Sequence, residues 1–236
     1  MIYFQRSFSY EIIQRNLQSI CNFNINTGQL NKVEDNNDID IVYVVNNDGQ
    51  RQKDKSGEIS FTMERNNQID EAYNTTVPVE YNPKPGEKAM KDVPYKVINF
   101  ENQSSGKDFY DFLDRYSTAK NEFDLFRYNQ NGQGKAAVGI NGQNGYLARY
   151  TKVEGKDGEY DFGAFIPSVS LMSGYYHSLS NLPGVDTSKN IFSHSHPGDN
   201  GNPEASAPDI NTARKSLLPG VFQVSSKGIY KVIPRE

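Results

Sequence analysis

The sequence has little cysteine and little histidine, with one and three residues respectively among 236. A single cysteine, Cys21, can form neither an internal disulfide nor a cysteine-rich zinc knot, so any metal site would need histidine and carboxylate ligands. No stretch approaches the roughly 20 apolar residues of a membrane span, and the N-terminus lacks the apolar block of a signal peptide. We therefore expect no membrane span and no classical signal peptide.

An excess of charge of one sign is also missing. The 25 basic and 29 acidic residues give a formal net charge of -4, so there is no electrostatic reason to expect DNA, RNA or an anionic membrane as the main partner. The hydrophobic content of 36% can fill a core. Composition therefore favours a globular protein whose chemistry depends on a few particular residues.

Residues 1–95 are predicted to form a β-rich N-terminal and linker region. Apolar residues recur at spacings near four up to about Phe23, which indicates a short amphipathic helix. A Thr-Gly turn and the apolar segment at residues 39–45 then predict a small β-meander. Residues 46–94 are polar and rich in proline, which favours a loop-rich connection with one strand at residues 59–63.

Residues 96–236 are predicted to form a second unit, after a boundary near residues 85–95. Its first helix carries Phe109, Phe112, Leu113 and Tyr116 on one face, with Ser104 or Ser105 as the cap. Further predicted elements are a strand at residues 122–128, a hairpin that pairs residues 136–140 with 146–153, a strand at 190–194, a helix from Ser206 to about Pro219, and a C-terminal hairpin of residues 221–224 and 229–233.

Two of the three histidines, His194 and His196, lie two positions apart. Because side chains alternate along a strand, both imidazoles can point to one side and reach one metal ion. A catalytic zinc site needs a third protein ligand and an open position for water, and Asp209 in the first turn of the next helix is suited to supply that ligand. His177 is left out of the predicted site, because a fourth protein ligand would take the position of the water.

The sequence H-S-H-P at residues 194–197, followed by S-A-P-D at residues 206–209, resembles the H-x-H-P…S-x-x-D signature of the JAMM zinc metalloproteases. The resemblance implies that His194, His196 and Asp209 bind zinc. It further implies that Ser206 assists the tetrahedral intermediate. A simpler interpretation of the second motif is a helix cap, with Ser206 and Asp209 as its capping box, and both roles could coexist.

JAMM proteases also use an upstream glutamate as general base, and Glu122 is the best candidate for it. Glu101 and Glu154 are the alternatives. A helix followed by Glu122 and the aromatic Phe123 resembles the opening of the JAB-like toxin domains of bacterial polymorphic toxins, in which tryptophan more often follows the glutamate. Phe123 and the rather long gap between the two motifs leave the loop shape and the substrate open.

The resemblance covers roughly residues 100–236 and implies an α/β fold of the MPN type, with a mixed, mostly antiparallel sheet flanked by helices in cytidine-deaminase-like layers. It implies a zinc-dependent peptidase or isopeptidase that acts on a protein or peptide. The expected context is a bacterial effector that acts in the cytoplasm of a target cell and is neutralised by a cognate immunity protein. The alternatives are a non-catalytic MPN-like interaction module and a housekeeping JAMM hydrolase without a toxic role.

Overall fold

The structure is a computed structural model that describes residues 18–27, 29–34, 39–63, 73–81, 89–117, 122–140, 145–155, 158–215 and 220–234. Its elements are, in chain order, β1 (Gln18–Asn24), β2 (Leu30–Glu34), β3 (Ile39–Val45), β4 (Lys53–Asp54), β5 (Gly57–Glu58), β6 (Ser60–Thr62), β7 (Tyr73–Tyr81), β8 (Ala89–Phe100), α1 (Gln103–Tyr116), β9 (Phe123–Gln130), β10 (Gln133–Ile140), β11 (Gly145–Gly155), β12 (Gly158–Pro167), α2 (Ser168–Ser180), β13 (Val185–Ser195), a 3-10 turn (Pro197–Asp199), α3 (Ala207–Lys215), β14 (Val221–Ser226) and β15 (Ile229–Val232).

A seven-stranded sheet in the order β15-β14-β13-β9-β10-β8-β7 forms the centre of the molecule. Its neighbouring strands are antiparallel except β13 and β14, which are parallel. The predicted α/β class with a mixed, mostly antiparallel sheet is thus confirmed. Among the helices that the structure describes, none is long and apolar enough to cross a membrane.

Each face of this sheet carries its own hydrophobic core. Because side chains alternate along a strand, Phe123 and Leu125 of β9 pack in one cluster with Phe109 of α1, whereas Phe126 packs in the other cluster with Tyr176 of α2. Strand β9 is buried over most of its length. It is therefore a central strand, and its polar residues are held in a largely dry environment.

The N-terminal strands share the core on the α1 face. They form a second sheet in the order β2-β1-β3-β6. The ring centroid of Phe23 lies 6.4 Å from that of Phe112 and 5.8 Å from that of Phe123, and the ring centroids of Phe61 and Phe109 are 5.4 Å apart. The division into residues 1–95 and 96–236 stays a prediction; strand β8 spans it, and both sides contribute to one core.

Two predictions for the N-terminal region are wrong. The helix expected up to Phe23 is contradicted at residues 18–24, which form β1; residues 1–17 lie outside the described residues. Part of the segment expected as loop lies in the long strands β7 and β8. Its prolines are tolerated for a geometric reason, since β7 is an edge strand and Pro94 precedes the part of β8 that pairs with β10.

The predicted pairing of β10 with β11 is also wrong. Strand β10 pairs with β9 and β8, whereas β11 pairs with β12. The turn between β9 and β10 consists of Asn131 and Gly132, with φ of 52° and 81°. Positive φ at both central residues matches the twist of a two-residue hairpin, so this Asn-Gly pair, rather than the glycine-rich segment after β10, sets the strand order.

The predicted helix at α1 is confirmed, but its cap is different. The cap is Asn102, whose side chain accepts a hydrogen bond of 2.7 Å from the backbone N–H of Ser105. Ser104 and Ser105 lie within the first turn. The strand at residues 190–194, the start of the helix after Ser206 and the C-terminal hairpin are confirmed as β13, α3 and β14–β15.

Candidate metal centre

The two histidines of the H-x-H motif lie where β13 ends. The antiparallel register of β13 and β9 places His194 opposite Asp124. Glu122 precedes the first residue of β9, so continuing the same register by two residues brings it opposite His196. Alternation puts both histidines and both acidic residues on one face of the sheet, which is the face covered by α2.

Three of these side chains form a group that could hold a metal ion. Ligand atoms of Glu122, His194 and His196 all lie within 4.8 Å of one another. The distance between Nε2 of His194 and Oε2 of Glu122 is 3.4 Å. The two imidazole rings are nearly perpendicular, at 83°, with centroids 5.3 Å apart.

Asp209 approaches the same two ring nitrogens from α3. Its Oδ2 lies 3.1 Å from Nε2 of His196, and its Oδ1 lies 4.0 Å from Nε2 of His194. The side chain is fully buried, and within the described part of the chain Oδ1 accepts no hydrogen bond. A buried carboxylate oxygen without a hydrogen bond, close to two histidines, is the kind of atom that a cation would satisfy.

Asp209 and the exposed Ser206 also form the predicted capping box at the start of α3. Both the backbone N–H and the hydroxyl of Ser206 donate to Oδ2 of Asp209, at 2.7 and 2.6 Å. Burial tends to raise the pKa of Asp209, but the hydrogen bonds from His196 and Ser206 and the charge of His194 outweigh it and hold the pKa below its ordinary value. The carboxylate therefore stays ionised, as a metal ligand must be.

The other ring nitrogen of His194 is held by a third carboxylate. Nδ1 of His194 lies 2.7 Å from Oδ1 of Asp124, and the hydroxyl of Tyr95 donates to Oδ2 of the same residue. Burial opposes a charge on His194, but the hydrogen bonds and charges of Asp124 and Glu122 outweigh it and raise its pKa well above the ordinary value. Burial likewise raises the pKa of Asp124. The pair therefore holds a proton between Nδ1 and Oδ1.

His196 has an equivalent but more exposed partner. Nδ1 of His196 lies 3.2 Å from Oδ2 of Asp199 in the 3-10 turn, and that oxygen also accepts a 3.0 Å hydrogen bond from the backbone N–H of Glu204. The backbone N–H of His196 donates to the carbonyl of Ser225 at 2.6 Å. Both histidines thus have a carboxylate at Nδ1, which directs both Nε2 atoms towards Glu122 and Asp209.

The five residues predicted for the site lie together, and the alternatives lie elsewhere. Glu101 is largely exposed and lies 3.6 Å from Lys135, and His177 is exposed on α2. Glu154 is part of β11, and its side chain lies outside the described residues. The proximity of Glu122 to both histidines makes it the candidate base that the geometry favours.

Asp124, Asp199 and Tyr95 were missed by the sequence argument. One signal could have revealed the first of them, because Glu122-x-Asp124 has the same two-residue spacing as His194-x-His196. Two adjacent antiparallel strands with that spacing can present four polar side chains on one face. Nothing in the sequence indicated that Tyr95, directly after the segment predicted as loop, would reach the same place.

No protein-family model, curated protein or solved structure matches this chain. The arrangement of its polar residues is therefore the basis on which its chemistry can be judged. Two imidazoles and two carboxylates converge beneath α3, at the end of a sheet strand. Such a donor set suits a borderline divalent cation such as zinc.

Proposed function

We propose that this protein is a zinc-dependent peptidase or isopeptidase of the JAMM type. The observation that carries the proposal is the convergence of Nε2 of His194 and Nε2 of His196 on the carboxylates of Glu122 and Asp209. His194, His196 and Asp209 would hold the ion, leaving one position open for water, and Glu122 would be the general base. The MPN-type fold belongs to the same proposal.

Two features of the donor set support zinc at this position. The buried Oδ1 of Asp209 accepts no hydrogen bond from the described residues, so a cation would remove the cost of its burial. Each histidine already has a carboxylate at Nδ1, which is the usual arrangement of histidines that bind a metal through the other nitrogen. A scaffold without catalysis would have no need for this set.

In the proposed reaction, Glu122 takes a proton from the attacking water and returns it to the leaving amine. The hydroxyl of Ser206, at the start of α3, donates to the oxygen of the amide carbonyl as charge develops on it. His194 and His196 stay in place because Asp124 and Asp199 hold their rings. When bound, zinc supplies Lewis acidity to the carbonyl and lowers the pKa of water.

Metal content and hydrolysis together test this assignment. Purified protein is expected to contain about one zinc per chain, and Asp209→Asn to lose it. Glu122→Gln should keep zinc but lose hydrolysis by about 10²–10⁴-fold, because proton transfer is removed while the ligands remain. Glu101→Gln is the matched control and should stay active. Loss of zinc in Glu122→Gln would instead make Glu122 a ligand, and a parent protein without zinc would overturn the proposal.

The suggested biological role is that of a bacterial effector with a cognate immunity protein, on the basis of the resemblance to JAB-like toxin domains. Expression of the full chain in the bacterial cytoplasm should slow growth, and co-expression of the immunity protein should restore it. The His196→Ala variant, expressed to the same level, should be harmless. Equal growth inhibition by the variant would exclude an enzymatic cause, and no inhibition by the parent chain would favour a housekeeping hydrolase.

A further inference from the structure

We propose that Asp124, held in turn by Tyr95, is a positioning residue that fixes the ring of His194 with Nδ1 protonated and Nε2 turned towards the metal position. The inference rests on the proposed zinc site. It assigns to two residues outside the H-x-H and S-x-x-D motifs a role in metal affinity, and it predicts which nitrogen of His194 is the ligand.

The geometry of the pair permits one ring orientation. Nδ1 of His194 lies 2.7 Å from Oδ1 of Asp124, whereas Nε2 faces Oε2 of Glu122 at 3.4 Å and Oδ1 of Asp209 at 4.0 Å. A 180° turn of the ring about its long axis would leave Asp124 facing a carbon atom. With both side chains at most 2% exposed, water could not compensate for that loss.

Tyr95 restrains the carboxylate itself. Its hydroxyl donates to Oδ2, so the two oxygens of Asp124 have different partners, Tyr95 and His194. Because both oxygens of the buried carboxylate are hydrogen-bonded, the side chain of Asp124 is held in one orientation. The fixed position of Oδ1 in turn fixes the orientation of the His194 ring. The hydrogen bonds form a chain from β8 through β9 to β13, and β10 lies between β8 and β9 in the sheet.

The sheet leaves room for this chain through a glycine. Gly139 of β10 lies opposite Asp124 in the register of β9 and β10. A Cβ atom built at Gly139 would lie 2.0 Å from the hydroxyl oxygen of Tyr95 and 3.2 Å from Cβ of Asp124. Any larger residue would therefore displace the tyrosine hydroxyl from its hydrogen bond. The absence of a side chain at Gly139 is thus a second, independent observation that the fold accommodates the hydrogen bond between Tyr95 and Asp124.

A carboxylate is needed here for a chemical reason. Ionised, it can only accept a hydrogen bond, so the nitrogen that faces it must carry the proton. An asparagine could turn its NH2 group to the ring and stabilise the opposite tautomer, with the proton on Nε2. That tautomer cannot bind a metal through Nε2 without first losing the proton, so Asp124→Asn should weaken metal binding although it changes little in shape.

Asp114 provides a matched control for burial of a carboxylate. It is also fully buried, but its Oδ2 accepts a 2.9 Å hydrogen bond from the backbone N–H of Gly228, in the turn between β14 and β15. It touches neither histidine of the site in any contact that the structure describes. Asp114→Asn therefore removes a buried charge without altering the orientation of His194.

The experiment combines zinc titration with the nitrogen spectrum of the histidine rings. Zn²⁺ affinity is measured by competition with a chelator for the full-length parent, Asp124→Asn, Tyr95→Phe and Asp114→Asn. Long-range ¹H–¹⁵N spectra of the zinc-loaded proteins then report the tautomer of each ring. Because the chain has three histidines, His177→Ala identifies the ring outside the site. Asp199→Asn, which changes the partner of Nδ1 of His196, then distinguishes the signals of His196 from those of His194.

In the parent protein we expect His194 to carry its proton on Nδ1 and to bind Zn²⁺ through Nε2. Asp124→Asn should weaken zinc binding by about 10–100-fold and shift the ring signals of His194 while those of His177 stay in place. Tyr95→Phe should cause a smaller loss in the same direction, and it provides the test if Asp124→Asn does not fold. Asp114→Asn should bind Zn²⁺ as the parent does.

Two negative outcomes are distinct. If the parent binds no Zn²⁺, the proposed function fails. If the parent binds Zn²⁺ and both Asp124→Asn and Tyr95→Phe bind it equally well with unchanged His194 signals, the proposed function stands and the positioning role of Asp124 is wrong. A His194 ring that is bound through Nδ1 in the parent would also overturn the inference.

Discussion

The two histidine–carboxylate pairs of the site differ in where their carboxylates come from. In the first pair both residues lie in the sheet, His194 and Asp124 are 2% and 1% exposed, and the contact is 2.7 Å. In the second pair the carboxylate lies in the 3-10 turn, His196 and Asp199 are 11% and 35% exposed, and the contact is 3.2 Å. The register of the strands sets the first pair, whereas a loop sets the second.

The His194–Asp124 pair should therefore contribute more to stability than the His196–Asp199 pair, although both consist of a histidine and an aspartate. Separating a buried charged pair leaves a charge that water cannot reach, whereas a partly exposed pair is screened and exchanges its partner for water. The comparison indicates that the His194 half of the site is rigid and the His196 half more adaptable.

The largest expected effect is on the stability of the metal-free protein. Asp124→Ala should lower the free energy of unfolding by about 3–5 kcal/mol, because it leaves His194 buried without its partner. Asp199→Ala, at a partly exposed position, should lower it by less than about 1 kcal/mol. Urea unfolding with a chelator present measures both, and equal losses would show that the two pairs do not differ in this way.

Zinc should add stability only where both histidines are present. At a free zinc concentration of a hundred times Kd, the parent should gain about 2.7 kcal/mol in free energy of unfolding. His196→Ala should gain nothing, because it lacks a ligand. Thermal unfolding with and without zinc tests this, with a chelator to reverse the shift; a gain that persists in His196→Ala would place the metal elsewhere.

A smaller effect is expected on zinc affinity when the exposed partner is changed. Asp199→Asn should weaken zinc binding by less than the about 10–100-fold typical of a buried partner, because water can take the place of the carboxylate at Nδ1 of His196. Chelator competition beside Asp124→Asn gives the comparison directly. A loss at Asp199 as large as at Asp124 would contradict the idea of an adaptable loop half.

The smallest expected effect is on the pH dependence of stability, at Asp114. This carboxylate is buried but, among the described residues, is not paired with a histidine of the site, so it shows what burial does without such a pair. Burial raises the pKa of Asp114 above its ordinary value of 3.8, although hydrogen bonds such as that from Gly228 partly offset it. The folded state thus keeps the proton to higher pH than the unfolded state, so this group lowers stability as the pH rises through the window above 3.8. When the free energy of unfolding is plotted against pH, the slopes of the parent and of Asp114→Asn should differ in that window by at most about 1.4 kcal/mol per pH unit. Parallel curves from urea unfolding at several pH values would rule this out.

Local sequence patterns were sufficient to predict where much of the candidate site lies. Alternation along a strand put both histidines of H-x-H on one side. The capping box placed Ser206 directly before α3 and Asp209 in its first turn, and the structure has both there. Both are short-range effects, which depend on a few consecutive residues. The same locality explains why the helix α1 was found while its cap was misplaced by a few residues.

Strand order could not be read in that way. The prediction paired β10 with β11 because a glycine-rich segment lies between them, but Asn131-Gly132 forms the tighter turn and joins β9 to β10 instead. Strands β7 and β8 were hidden by their prolines, which are tolerated only because of where those strands lie in the sheet. Pairing between distant strands depends on what each face buries, and this is settled by packing of the whole chain.

By itself, then, the sequence determined the donor types and their local spacing: two histidines, an acidic helix start and a glutamate before a strand. The tertiary structure decided which carboxylates meet which ring nitrogens. Tyr95 and Asp124 come together with His194 because β8, β10, β9 and β13 are neighbours in one sheet and Gly139 leaves space between them. These contacts join residues 29 and 70 positions apart, and hydrogen-bond geometry at such separations is fixed by strand register and burial rather than by any local motif.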